Sequence, residues 1–341
     1  MQCLAMLLTR PRGLPARLLV GLAVLALGAG ACGPDVPTLV AALPTLAPVR
    51  VISATSTPLP ARPTLTPTAT KQPSQTPTQT PPATATAAAT AAANASVAPT
   101  SFAPTPDGQS LSRQVKLPIL MYHYVEPWPA KAGTVRKNLT VQPADFAAEM
   151  AYLHAQGYVT VSLYELMAAL TLGQPLPPRS VVLTFDDGYR TLVDYAAPAM
   201  KPFGYTGTVF VVTQLMDENF AQYLTWPQAK ALYAAGWKIE PHTKTHALLA
   251  GTDRAYQLYE MLGSVQTVQA HIGVMPRFFA YPYGKWDDTT LKLERELDLW
   301  AAVTELPGAI HDFNDRFELH RVRINGTITL ADFIRTIKAT Q

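Results

Sequence analysis

Val181-Val-Leu-Thr-Phe-Asp-Asp-Gly188 decides the fold. An apolar, β-branched run reads as a fully buried strand. It delivers two adjacent carboxylates into a glycine turn. Two like charges so close cost free energy unless a cation or hydrogen bonds compensate. Asp before Gly is also ordinary turn chemistry, so the pair gains meaning only from what surrounds it.

Working outward, short β-rich runs alternate with helical ones from Val115 onward, which argues for an α/β fold with a parallel sheet. Strands are expected at 117–122, 158–161, 180–185, 208–212, 237–240, 278–281, 299–303 and 319–324. Helices are expected at 143–156, 163–172, 190–203, 226–235, 253–272, 287–297 and 329–338. Gly157, Gly204, Gly236 and Gly273 stand where four of those helices should stop. About seven β/α units in this length suit a distorted (β/α) barrel, with the domain at 113–341.

Tyr122-His123, Asp186-Asp187, His242 and Pro282-Tyr283 each fall just past the C-terminal end of an expected strand. In a parallel barrel those ends share one face, where active sites form. His242-Thr-Lys-Thr-His246 is expected on a helical turn, which brings imidazoles at i and i+4 within reach of each other. An acid pair with a His-x-x-x-His pair can hold one divalent metal and keep the second carboxylate for proton transfer. One carboxylate with two imidazoles suits Zn²⁺ with an open position for water. Co²⁺, Ni²⁺, Mn²⁺ or Fe²⁺ also suit that donor set. His123 is the further histidine whose place matches the site, and His320 is its rival. His154, His271 and His311 read as structural or exposed, and Trp226, Trp237, Trp286 and Trp300 as core or rim.

Composition limits the alternatives. Of 27 basic and 24 acidic residues, six and two precede Arg113, which leaves 21 against 22 in the folded part. With no basic patch there, nucleic acid is not an expected partner. The two cysteines, Cys3 and Cys32, are both N-terminal, so no disulfide framework or thiolate ligand serves the domain. Arg10, Arg12 and Arg17 precede an apolar run from Leu18 to Ala31. That run reads as a signal peptide over 1–31. Ala29-Gly30-Ala31-Cys32 resembles a lipoprotein box, in which Cys32 would carry acyl chains. Residues 32–112 hold fifteen of the 31 prolines with Thr, Ala and Ser, and lack apolar periodicity. Such a stretch reads as a disordered linker, a stalk reaching roughly 250 Å if fully polyproline II.

Taken together, Thr184-Phe-Asp-Asp-Gly188, His242-Thr-Lys-Thr-His246 and Arg277-Phe-Phe-Ala-Tyr-Pro-Tyr-Gly284 resemble the polysaccharide deacetylases. These are the NodB-homology domains of carbohydrate esterase family 4, and the likeness covers roughly 115–341. The resemblance implies a distorted (β/α) barrel and metal-dependent removal of N-acetyl groups from a glycan. It implies Asp187, His242 and His246 as metal ligands, Asp186 as general base, and the backbone N–H of Tyr283 as oxyanion donor. Many members carry an arginine where Ala280 stands, in contact with the base, so that tuning must come from elsewhere here. Arg277 is expected to be structural, and Glu240-Pro241 replaces a more usual Gly-Ser. A late Leu-x-x-His motif is only approximated by Phe317–His320. A subgroup acting on poly-N-acetylglucosamine places its acid histidine in a Tyr-His segment ahead of the acid pair, which points to His123. The expected activity is N-deacetylation of an N-acetylglucosamine-containing polysaccharide at the cell envelope. The membrane would be met only through the lipid anchor, and the protein is expected to be a monomer. The alternatives are an O-acetyl esterase of the xylan type and an inactive glycan-binding module.

Overall fold

A computed structural model describes residues 105–341. The signal peptide expected at 1–31, Cys32 and the linker as far as residue 104 lie outside the described residues. In chain order the strands are β1 Gln114–Lys116, β2 Ile119–Tyr122, β3 Tyr124–Val125, β4 Thr140–Val141, β5 Val159–Thr160, β6 Ser180–Phe185, β7 Thr208–Val211, β8 Lys238–Pro241, β9 Phe278–Ala280, β10 Ala301–Pro307, β11 Ile310–Asp312 and β12 Leu319–Arg323. The helices are α1 Thr134–Asn138, α2 Pro143–Ala155, α3 Leu163–Leu172, α4 Ala197–Met200, α5 Thr213–Asp217, α6 Trp226–Ala234, α7 Arg254–Ile272, α8 Asp288–Glu296 and α9 Leu330–Ala339.

The main sheet is parallel and runs β8-β7-β6-β2-β12-β10-β9, with β5 added to the start of β6. It curls into the expected distorted (β/α) barrel of seven strands. Its two end strands, β8 and β9, share no backbone ladder among the described residues, so the barrel keeps a seam.

Strand alternation sorts the core into two layers. Ile119, Val182, Phe210, Phe278, Ala280, Val303 and Leu319 pack together in the barrel interior. Leu120, Leu183, Val209 and Val322 pack outward against helical residues such as Phe146, Ala196, Ala229 and Phe333. The inward parity continues upward along the strands through His123, Asp186, His242 and Arg321. Burying these rows of branched and aromatic side chains contributes about 2 kcal/mol each before entropy is counted.

Helix starts follow their sequence signals. Ser162 and Glu165, Thr225 and Gln228, and Thr329 and Asp332 form reciprocal capping boxes. Gly157, Gly204, Gly236 and Gly273 all take positive φ. The helix expected at 190–203 is not uniform. Leu192–Ala196 is a π turn, α4 follows, and Lys201–Phe203 is 3-10. Pro198 and Pro202 have no N–H, so each removes one rung of the ladder.

Four short features have too few residues to show a period: the antiparallel pair β1–β11, the parallel pair β3–β4, α1 and α5. His311 on β11 is buried, and its Nε2 lies 2.8 Å from the Leu117 carbonyl. Burial pushes its pKa down to about 4, so the ring is neutral and donates there. Residues 105–112 lie against α3: Asp107 N–H donates to the Thr171 carbonyl at 3.0 Å, and its carboxylate pairs with Arg113 at 3.0 Å.

Candidate active site

β6 ends at Phe185 and passes its direction to the two carboxylates. Asp186 stays in the ladder, its N–H donating to the Tyr122 carbonyl at 2.9 Å. The chain then turns through Asp187 (φ 71°) and Gly188 (φ 74°), both left-handed. A Cβ on residue 188 would stand 3.1 Å from Val211 Cγ1 and 3.3 Å from its Cα, a tight fit that together with the left-handed backbone favours glycine. Asp187 has no such excuse, and its conformation costs on the order of 1 kcal/mol. Of the seven non-glycine residues with positive φ among the described residues, four are Asp187, Thr243, His246 and Tyr283. Strain is therefore concentrated at this one face.

The histidine pair does not sit on a helical turn. Residues 242–246 form an irregular loop after β8, with Thr243 at φ 64° and His246 at φ 63°. Hydrogen bonds from elsewhere hold it instead. The buried Glu260 of α7 accepts from the N–H groups of Lys244 (3.0 Å) and Thr245 (2.9 Å) and from the Thr245 hydroxyl (2.8 Å). Gln214 N–H of α5 donates to the Lys244 carbonyl at 2.9 Å. The rings still meet, 5.0 Å apart between centroids.

Asp187, His242 and His246 converge so that one ligand atom from each lies within 4.8 Å of the others. His242 Nε2 is 3.4 Å and His246 Nε2 is 3.2 Å from Asp187 Oδ1. Asp187 Oδ1 is buried and makes no well-formed hydrogen bond. His242 Nδ1 lies 2.7 Å from the Ala280 carbonyl, which can only accept, so Nδ1 carries a proton. Nε2 of the neutral ring then turns a lone pair toward a carboxylate. That is repulsive unless a cation lies between them. The donor set thus fits a divalent metal. Without one, protons fill the role. Burial disfavours both charges, yet the imidazoles hold Asp187 well below the usual carboxylate range and the two aspartates push His242 up.

Asp186 points into the barrel beside this cluster and meets Arg321. Nη1 and Nη2 donate to its two oxygens at 2.7 Å each, and both side chains are buried. Burial would raise the Asp186 pKa, but the guanidinium outweighs it and holds the carboxyl below its ordinary value. Arg321 also donates to Thr184 Oγ1 (3.2 Å) and, through Nε, to the Thr304 carbonyl (2.7 Å). That carbonyl lies where the β10–β12 register shifts between Val303 and Pro307. The arginine missing at position 280 is thus supplied from β12. Arg277 donates to Asp298 at 2.6 Å at the far end of β9.

His123 lies at the end of β2, partly exposed, within electrostatic reach of Asp186 and Asp187. Burial lowers its pKa more than the two carboxylates raise it. His320 has the opposite parity on β12 from Arg321, and its ring lies against Gly308. It is not brought to the Asp186–Asp187 cluster. Tyr283, 56% exposed at φ 60°, sets its ring edge-on to His246, 4.8 Å between centroids. Beside the acid pair, Tyr124 stacks on Tyr189 at 3.6 Å, and the Arg136 guanidinium covers Tyr124. Trp226, Trp237 and Trp300 are buried, and Trp286 stacks on Tyr281.

The family model described as polysaccharide deacetylase matches residues 173–302. YxkH of Bacillus subtilis, whose name assigns it as a polysaccharide deacetylase, is 32% identical over 213 residues, 62% of this chain and 73% of its own. The poly-β-1,6-N-acetyl-D-glucosamine N-deacetylase of Escherichia coli K12 is 32% identical over 290 residues, 71% of this chain but 42% of that protein. Among solved structures, the Streptococcus pyogenes deacetylase PplD in complex with acetate superposes with a TM-score of 0.62 at 29% identity, covering 66% of this chain and 99% of that one. The chain belongs to the polysaccharide deacetylase family, hydrolases that remove acetyl groups from glycans.

Proposed function

We propose that this chain is a metal-dependent N-deacetylase of an N-acetylglucosamine-containing polysaccharide, working outside the cytoplasmic membrane. One observation carries the reading. One oxygen of a buried, strained aspartate and one nitrogen from each of two imidazoles lie within 4.8 Å of one another, next to a second carboxylate clamped by arginine. The poly-N-acetylglucosamine deacetylases among its relatives favour that polymer class. The proposed organisation is a signal peptide at 1–31, a linker at 32–112 with Cys32 as a lipid attachment point, and the deacetylase domain at 113–341. Among the described residues no helix is long and apolar enough to cross a membrane.

Asp187, His242 and His246 would hold the ion, Zn²⁺ first among the candidates, with Co²⁺, Ni²⁺, Mn²⁺ and Fe²⁺ also suited to these donors. A bound divalent ion supplies Lewis acidity toward a carbonyl and acidifies water. Asp186, kept ionised by Arg321, takes a proton from the attacking water. The backbone N–H of Tyr283 donates to the developing oxyanion, a contact typically worth about 3 kcal/mol. His123 passes a proton to the leaving amine. Burial lowers the pKa of the free imidazole, so the proton it passes on is the one Asp186 took from water, and both side chains end as they began.

His123→Ala is expected to lower kcat on the order of 100-fold. His320→Ala should leave it within about threefold, because that ring faces away from the acid pair. Steady-state acetate release by both variants checks this, and the reverse order moves the acid role to His320.

The test of the whole reading is acetate release by the purified full-length protein. Poly-β-1,6-N-acetylglucosamine, peptidoglycan and acetylxylan are compared, with Zn²⁺ or Co²⁺ added or removed by chelation. Release from an N-acetylated polymer, lost at least 100-fold on chelation and restored by metal, is expected. Release from acetylxylan alone makes the protein an O-acetyl esterase. Glycan binding without any release makes it a binding module.

A further inference from the structure

The seam between β8 and β9 is bridged by side chains. Glu240 Oε2 accepts the N–H groups of Arg277 (2.9 Å), just ahead of β9, and of Phe278 (3.0 Å), its first residue. Glu240 Oε1 accepts from the Tyr164 hydroxyl of α3 at 2.9 Å. Two residues further up, His242 Nδ1 meets the Ala280 carbonyl at 2.7 Å. In a closed parallel sheet those N–H and C=O groups would pair with a neighbouring backbone. Between the two bridges stands Pro241, which has no N–H to offer. A buried strand edge without partners is costly. Glu240, 2% exposed, satisfies two donors of that edge at once.

The two bridges are linked through β9. Ala280 is two residues from Phe278 in a strand whose other side is locked to β10, with Phe278 opposite Ala301 and Ala280 opposite Val303. Whatever fixes the lower end of β9 against β8 therefore fixes the carbonyl that orients His242.

We infer that Glu240 is a positioning residue for the metal site. Its carboxylate replaces a strand rung across the seam and sets the Ala280 carbonyl that aims His242 Nε2 at Asp187. The inference rests on the metal reading given above.

The test uses the full-length protein with Glu240→Gln and Glu240→Ala. Two quantities are measured: Zn²⁺ affinity by competition with a chromophoric chelator, and amide hydrogen exchange at Arg277 and Phe278. Glu240→Gln should keep affinity within about threefold, because its amide oxygen still accepts both N–H groups. Glu240→Ala should lose at least tenfold in affinity and lose the amide protection. If it loses only melting temperature while affinity stays at the wild-type value, the residue is merely structural and the inference falls. It falls equally if the two amides stay protected without the carboxylate. Should the alanine variant not fold, Glu240→Asp, which keeps the charge but shortens the reach, is read by the same criteria. A wild-type chain that binds no Zn²⁺ overturns the metal reading and this inference with it. That failure is distinct because it appears before any variant is made.

Discussion

Asp186→Asn is expected to lower kcat about 10³-fold while Zn²⁺ affinity stays within about threefold of wild type. Both Asp186 oxygens are engaged by Arg321 at 2.7 Å, and the ligand cluster forms without them. Asparagine keeps the shape and one acceptor but cannot take a proton from water. Stability also changes. The guanidinium of Arg321, wholly buried, loses its counter-charge, which costs on the order of 3 kcal/mol. Rates must therefore be taken per folded site, with circular dichroism and Zn²⁺ titration on the same sample. Activity within tenfold of wild type would remove Asp186 as the base. A parallel loss of Zn²⁺ affinity would make it a ligand instead.

How much of this was legible depended on how local each signal is. β6 over 180–185 and α3 over 163–172 match their expected bounds, because one is a fully buried run centred on Val181-Val-Leu183 and the other opens on a capping box. The convergence of His123, the acid pair, His242 and Tyr283 at one end of the barrel followed from strand ends alone. The conformation of 242–246 did not. A His-x-x-x-His spacing suits a helix, and what holds the loop open is Glu260, some fifteen residues away, together with the backbone of Gln214. The late motif drew attention to His320, one residue from the side chain that matters. A shift of one position along a strand moves a side chain to the other layer. Leu319 is inward and Val322 outward, so parity assigns Arg321 to the interior with Asp186. That signal was present in the sequence, but it needed the register of β12 to be read. The seam between β8 and β9 had no local signal, since nothing in either strand announces which neighbour it lacks.

Arg321→Met is the second large effect. It is expected to destabilise the protein by about 3–5 kcal/mol and to lower kcat/KM on the order of 100-fold at pH 7. Methionine fills much of the same volume without charge, so what is lost is the partner of a buried carboxylate rather than packing. The direction with pH follows from the ion pair. In the intact protein Arg321 holds the Asp186 pKa below the ordinary carboxylate value, so the pairing stabilises the fold fully above that ordinary value, and the benefit fades as pH falls through the folded pKa. Without Arg321, burial is opposed only by the His123 and His242 imidazoles, and the pKa rises. The base is then protonated over a wider range, so the acid limb of kcat/KM moves to higher pH. A pH–rate profile of the variant reads this directly, and an unmoved acid limb would sever Arg321 from the chemistry. The double variant Asp186→Leu, Arg321→Met separates the two contributions. With neither charge left to desolvate, it should regain much of the lost melting temperature while remaining inactive. If it is instead as unstable as the sum of the single variants, the bidentate pair is not the source of the instability. The contacts of Arg321 with Thr184 and Thr304 would then carry it.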